Sequence, residues 1–342
     1  MTTATNTHRP RADDQELERS TPTAPPGPWW RVLWRFGRPH TLIGTTLAVG
    51  ALFAVAAAEA AGSADGAGIQ GARAWPPITP AAALMLLGTW LASLAANVSV
   101  VGLNQLTDVD IDRVNKPALP MPAGHLPYVS ARRIVLGLTV CALGLSAWLG
   151  PWLLATVAAS IAIGGAYSLP PLRLKQRAVA AAMSIATVRG PLVNLGLYAH
   201  FRDRLDGPAG WPASVLLLAS FFFLFTLGIA VAKDIGDVAG DRRYQIATFA
   251  VRRGERSALR LALMLLASPY LLVIAYGLRN VPDPWAGMLA TTHAILLAVL
   301  LAHGTRTQVG DPQSITRWYR GVWRMFYVEY ALWLGLLSWW MP

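Results

Sequence analysis

Lysine is almost missing from this chain: of its 29 basic residues only Lys116, Lys175 and Lys233 are lysines, and the rest are arginine. Cysteine is nearly as scarce. The lone Cys141 excludes an internal disulfide, and its place in an apolar run predicts core filling. Charge of either sign is sparse at 14%, while 54% of the residues are hydrophobic, a balance that excludes a disordered chain and is foreign to soluble enzymes of this length. The start of the sequence lacks an apolar core segment. Residues 1–28 are polar and rich in Thr, Pro and charge, which predicts a disordered cytoplasmic tail rather than a signal peptide. No short-period repeat is visible.

What is present in quantity is long apolar sequence. Runs long enough to span a bilayer fall at about 41–58, 81–103, 133–150, 152–168, 179–199, 213–232, 258–277, 285–303 and 324–341. They predict an all-α polytopic membrane bundle of about nine transmembrane helices over residues 29–342, read as one domain. With the N-terminus cytoplasmic, all but five basic residues fall on the cytoplasmic side; Arg73, Arg202, Arg204 and Arg279 are external and Arg189 lies within a span. The net charge of +11 therefore reports membrane topology, and a nucleic-acid partner has no place in the account. The Gly/Ala/Pro-rich stretch from Glu59 to Pro80 is expected to be an external loop.

Two acidic stretches stand at the ends of apolar segments on the same, cytoplasmic side: NQLTDVDID (Asn104 to Asp112) and KDIGDVAGD (Lys233 to Asp241). Carboxylates beside a bilayer are costly, about 2.5–3.5 kcal/mol each at a span centre, so clusters of them point to function. On an α-helix Asn104, Asp108 and Asp112 share one face, and Asp234, Asp237 and Asp241 fall within an arc of about 60°. Brought together, the two faces make an all-oxygen cage for a hard cation such as Mg²⁺. The bland alternative, solvated charges each paired to a nearby arginine, explains one isolated Asp better than two spaced clusters. It does fit Asp110, which points away from Asp108 and toward pairing with Arg113 or Lys116.

Five carboxylates (Asp108, Asp112, Asp234, Asp237, Asp241), two Mg²⁺ and a diphosphate leave roughly four negative charges to offset. All three lysines lie in the cytoplasmic segments, where compact point charges suit phosphate oxygens. The stretch AYSLPPLRLK adds Tyr167, Arg173 and Lys175, with Pro170–Pro171 ending the helix before them. Arg189 and Asn194 sit inside a span, as ligand contacts, as an interhelical hydrogen bond or by snorkelling. His40, at the cytoplasmic start of the first span, is either a ligand contact, a base or an interfacial side chain. Trp29, Trp30, Trp34, Trp339 and Trp340 fit interfacial belts; Phe221, Phe222, Phe223 and Phe225 line a tunnel, face lipid or pack the core.

The pattern N-x-x-x-D-x-x-x-D after the second span and D-x-x-x-D after the sixth resembles the UbiA superfamily of intramembrane prenyltransferases. The segments RPHTLIGT, NQLTDVDIDRVNKPALPMPAG, RGPLVNLGLYAH and KDIGDVAGDRRYQIATFAVRRG resemble its homogentisate prenyltransferase branch, with departures at Met121, Pro122 and Gly236. The resemblance implies Mg²⁺-dependent transfer of a prenyl group from a prenyl diphosphate to an aromatic acceptor, homogentisate or a related phenol, at a multi-pass cell-membrane protein whose active site faces the cytoplasm among membrane lipid. It implies Asn104, Asp108, Asp112, Asp237 and Asp241 as metal-binding residues, with Asp234 a ligand or the support of one. Lys116, Arg173, Lys175, Lys233 and Arg242 would contact diphosphate, and His40, Tyr167, Arg189 and Asn194 the acceptor or substrate. Two other functions fit less well: a membrane terpene synthase of the same fold, cyclising the diphosphate without an acceptor, and an ion-coupled transporter, which calls for acids near the bilayer midplane.

Overall fold

The computed structural model describes residues 27–64, 78–280 and 284–340. The expected tail up to residue 26, Arg73 with most of the loop around it, and the side chains of Trp339 and Trp340 lie outside the described residues. Helix α1 (Trp29–Phe36) leads into α2 (Pro39–Ala64), α3 (Pro80–Thr107) and a short α4 (Val109–Asn115). Then come α5 (Tyr128–Leu149), α6 (Pro151–Ser168), α7 (Ala178–Arg204), α8 (Ala213–Gly236) and a short α9 (Val238–Arg243). A single turn, α10 (Phe249–Arg253), precedes α11 (Glu255–Arg279), α12 (Pro284–Thr305) and α13 (Pro312–Trp340). The described chain is all-α apart from one isolated bridge between Arg177 and Ala247, and backbone groups satisfied inside helices are what an apolar solvent demands.

Eight of these helices are long and apolar enough to cross a membrane. The ninth expected span falls in the second half of α13, a 29-residue helix in which Arg317, Arg320, Arg324 and Glu329 dilute the apolar sequence. Glu329 is fully buried and lies 3.0 Å from the equally buried His293 of α12, so α13 turns its charge inward against a partner.

The bundle is arranged around α8, the most buried span. Phe221, Phe222 and Phe225 on it are fully buried and pack against Tyr270 of α11 and Phe326 and Tyr330 of α13, with Phe222 and Tyr330 stacked at 3.8 Å. The three phenylalanines are core and line neither of the cavities described below, whereas Phe326 and Tyr330 also reach the wall of the larger one. Cys141 is exposed on α5 rather than in the core. In a bilayer the outer surface is itself apolar, so an apolar run does not say which way a small side chain faces.

Two halves share one local design. In each, a long helix ends at an aspartate with non-helical angles, Asp108 (φ −122°, ψ 15°) and Asp237 (φ −102°, ψ 4°), and a short helix resumes at once. The short helices α4 and α9 pack against each other, which brings the two acidic stretches together. The expectation of three residues on one continuous helical face therefore needs correcting, because the helix breaks at the central aspartate of each motif.

Helix α7 contains a turn of π-helix, Val188–Leu192, around Pro191. Proline lacks an N–H, and the widened turn absorbs the lost bond while re-aiming the side chains on it. Gly190 lets this turn lie flush on α8: a Cβ there would be 2.6 Å from the Phe223 Cα. Gly190→Ala is expected to cost about 1–3 kcal/mol through overpacking, read as a lower thermal midpoint of the detergent-solubilised protein; an unchanged midpoint would show that the two helices have slack at this contact.

Candidate active site

Charge pairing welds the two motifs into one site. Lys116, just beyond α4, donates to both oxygens of Asp237 at 2.7 and 2.6 Å and lies 3.9 Å from Asp112. Asn115 accepts from the Gly240 amide at 2.8 Å, a second tie between the halves. Across the site Lys175 is paired with Asp108 and donates to Thr107 at 2.8 Å. Asn104 donates to Asp108 at 2.8 Å, so these two still face one another despite the helix break. Lys233 lies 3.7 Å from Asp234. Asp110 is bonded to Arg113 at 2.6 Å on the outside, as its helical phase predicts.

Two arginines hold left-handed backbone angles at this site: Arg38 (φ 52°) and Arg173 (φ 35°). Such angles cost of order 1 kcal/mol or more for a residue with a Cβ, and they persist where the surroundings enforce them. Arg38 stands 3.8 Å from Asp112 and Arg173 stands 4.0 Å from Asp108. Arg38 is the residue that the sequence reading passed over. Its signal was there, a lone cation before a proline between α1 and α2, facing a motif whose charge balance called for cations.

A small acidic cavity of about 80 Å³ is lined by Asn104, by every carboxylate of the two motifs except Asp110, and by the three lysines. It adjoins a larger cavity of about 570 Å³, with Arg38, Asn104, Lys116, Tyr167 and Lys233 on the walls of both. The larger space is mostly apolar and runs between α2, α3, α6, α7, α8 and α13; His40 and Arg189 also line it. Arg242 is exposed and lines neither cavity, because the short α9 that turns Asp241 inward turns the next residue out. Asn194 is fully buried and also lines neither: it donates to the carbonyls of Arg189 and Gly190 and accepts from Tyr330 at 3.1 Å. Its role is the interhelical hydrogen bond, closing the backbone that Pro191 disturbs.

The donor set suits a hard divalent cation. Asp112 has a buried oxygen, Oδ2, with no hydrogen-bond donor, and its carboxyl is raised above the usual range by burial against the opposing pull of Lys116 and Arg38. Asp241 is pushed up to about 7 by burial and then by the charges of Asp237 and Asp234. Burial lowers Lys175, against the opposing pull of Asp108. For Asp112 and Asp241, burial thus outweighs the cations beside them. Even so, among the described residues no three acidic, histidine or cysteine side chains converge closely enough to hold an ion as they stand. The expected cage is not preassembled, since Lys116 and Lys175 sit on the carboxylates that would form it.

Comparison with known proteins places this geometry. Residues 66–330 match the model of the UbiA prenyltransferase family. The chain is 39% identical to homogentisate phytyltransferase of Synechocystis sp. over 91% of its own length and 96% of that protein. It is 36% identical to a chloroplastic homogentisate solanesyltransferase of Arabidopsis thaliana over 87% of this chain and 75% of that one. The fold is that of a UbiA homolog from Archaeoglobus fulgidus solved bound to GPP and Mg²⁺, with a TM-score of 0.60 at 17% identity, covering 89% of this chain and 99% of that one.

If Lys116 neutralises Asp237 in place of a metal, Lys116→Met should lower the thermal midpoint of metal-free protein by the equivalent of about 1–2 kcal/mol, the pair being partly open to solvent. Millimolar Mg²⁺ should recover most of that loss. A deficit untouched by Mg²⁺ would contradict the assignment.

Proposed function

Because this chain belongs to the UbiA prenyltransferase family, we propose that it is a Mg²⁺-dependent aromatic prenyltransferase that joins a prenyl diphosphate to homogentisate or a related phenol. The observation that carries this reading is the continuity of an acidic, lysine-studded cavity with an apolar one inside the bundle. One end takes a diphosphate; the other takes a hydrocarbon chain and a ring. The arginine asymmetry supports a multi-pass cell-membrane protein with this end toward the cytoplasm. Residues 29–342 form the transferase domain in this reading.

Asn104, Asp108, Asp112, Asp237 and Asp241 would hold the metal, with Asp234 beside them. Bound there, Mg²⁺ supplies neutralising charge to the diphosphate as it leaves. Lys116, Lys175 and Lys233, released from carboxylates, take phosphate oxygens, and Arg38 and Arg173 add charge at the rim. Positioned this way, the chain's own cations favour the charge that develops as the allylic C1–O bond breaks and its electron pair leaves with the diphosphate. A ring carbon of the phenol then bonds to C1 and the ring loses a proton. Among the described residues His40 is the only imidazole on either cavity wall, and we assign it that proton. Tyr167 and the walls around it exclude water, which would otherwise capture the cation.

Asp108→Asn and Asp237→Asn are each expected to cut transfer of a labelled prenyl group to homogentisate by at least about 100-fold while the protein remains folded. Near-normal turnover in both would sink the assignment, and release of diphosphate with a cyclic hydrocarbon would favour the terpene synthase. The raised Asp241 carboxyl gives a pH signature. A metal needs the anion, so below about pH 7 the proton competes and the half-saturating Mg²⁺ concentration should rise by up to about tenfold per pH unit. Asp241→Asn should flatten that dependence; a wild-type curve level from pH 5.5 to 8 would contradict it.

A further inference from the structure

Arg189 is a cation without an anion. It sits on the π turn of α7 and lines the larger cavity, with its guanidinium 5.0 Å from the centre of the Trp323 ring and 5.9 Å from that of Phe326. Those faces attract the charge but satisfy none of the five N–H donors. Among the described residues, Arg189 has no salt bridge and its guanidinium makes no hydrogen bond. Four of the five acids at the neighbouring end are committed elsewhere: Asp108 to Lys175 and Arg173, Asp112 to Arg38 and Lys116, Asp237 to Lys116, and Asp234 to Lys233; the fifth, Asp241, lines only the acidic cavity, whereas Arg189 lines only the larger one. An arginine in a membrane interior is normally paired, and an unpaired one on a cavity wall marks the place of a ligand anion.

The same conclusion follows from the reaction. An unneutralised guanidinium in the cavity where an allylic cation develops raises the energy of that cation. An acceptor that brings its own negative charge removes the penalty. A carboxylate matches the planar fork of arginine with two parallel hydrogen bonds. The indole of Trp323, which carries the guanidinium on its face, lies 4.7 Å from the imidazole of His40 on the same cavity wall.

We propose that Arg189 receives the carboxylate of the acceptor and makes the site selective for phenols that carry an acidic side chain. This rests on the transferase reading above and adds which group of the acceptor is recognised, and by which residue. Arg189 is a binding and specificity residue here, apart from the acidic site that holds the diphosphate.

The test uses full-length protein in nanodiscs, with homogentisate and its methyl ester as probes. Binding is measured by calorimetry and transfer by steady-state kinetics with Mg²⁺ and geranylgeranyl diphosphate. Arg189→Met should weaken homogentisate binding and raise its KM by about 10- to 150-fold, the span expected for a charged hydrogen-bonded contact. The ester and the prenyl diphosphate should keep their KM values. Arg189→Lys should recover part of the loss, since it keeps the charge without the fork. Equal losses for acid and ester, an unchanged KM for the acid, or a loss confined to the prenyl diphosphate would each overturn the proposal; the last would reassign Arg189 to phosphate. Should Arg189→Met fail to fold, the acid-to-ester ratio in Arg189→Lys decides by the same criterion. Transfer to both acceptors without dependence on Arg189 defeats this inference and leaves the transferase reading standing. Absence of transfer to any phenol by the wild type defeats both.

Discussion

The ammonium group of Lys116 holds this structure's function together. It spans Asp112 of one half and Asp237 of the other, and without a cation between them these buried carboxylates would repel across a contact that the short helices α4 and α9 depend on. A lysine suits this duty better than an arginine, because a compact charge on a flexible stem can leave one oxygen for another at little cost. Arginine does the remaining electrostatic work of the chain, where a fixed planar donor or an interfacial charge is wanted. The near absence of lysine and its placement are thus one fact: the three lysines stand on carboxylates, where the proposed reaction calls for charge to pass to phosphate.

From that junction the chemistry grades away into apolar space. The acidic cavity is small and rich in charge; the space beyond it is several times larger and mostly apolar. A molecule with a polyanionic head and a hydrocarbon tail fits this gradient in one direction only, which orients the reacting carbon before any catalytic group acts. The buried phenylalanines of α8 lie outside the cavity and serve another purpose. They fix α7 and α13 relative to α8, and so fix Arg189 against Trp323. At the functional end, Arg38 and Arg173 adopt left-handed backbone angles to reach the first motif.

Much of this was legible in the residues. Apolar run lengths found the helices, because a bilayer imposes a length that a soluble core does not. The acidic motifs were found by their cost, and Asp110 was set apart from its neighbours by helical phase alone. Three things were not legible, each for a physical reason. The break at Asp108 and at Asp237 is invisible to a periodicity argument, since the helical hydrogen bond is recovered one turn later. The direction of Cys141 could not be read, because core and lipid are equally apolar. Arg242 and Arg38 were misplaced or passed over because a residue's neighbours in sequence are not its neighbours in a bundle: Arg242 follows a site residue and faces out, and Arg38 comes from another helix pair altogether; for Asn194 the residues left two readings open, and its bonds to its own helix and to Tyr330 match the interhelical one.

The central claim is that the two acidic motifs act as one diphosphate site in which lysines hold the place of metal. Cryo-electron microscopy of the chain in nanodiscs, with Mg²⁺ and a slowly reacting prenyl thiodiphosphate, tests it most directly. The account predicts metal and diphosphate density between Asp108–Asp112 and Asp237–Asp241, with Lys116 and Lys175 moved from carboxylate to phosphate oxygens and the prenyl chain in the larger cavity. Diphosphate density against one motif alone, or lysines still seated on Asp237 and Asp108 with the ligand bound, would contradict it.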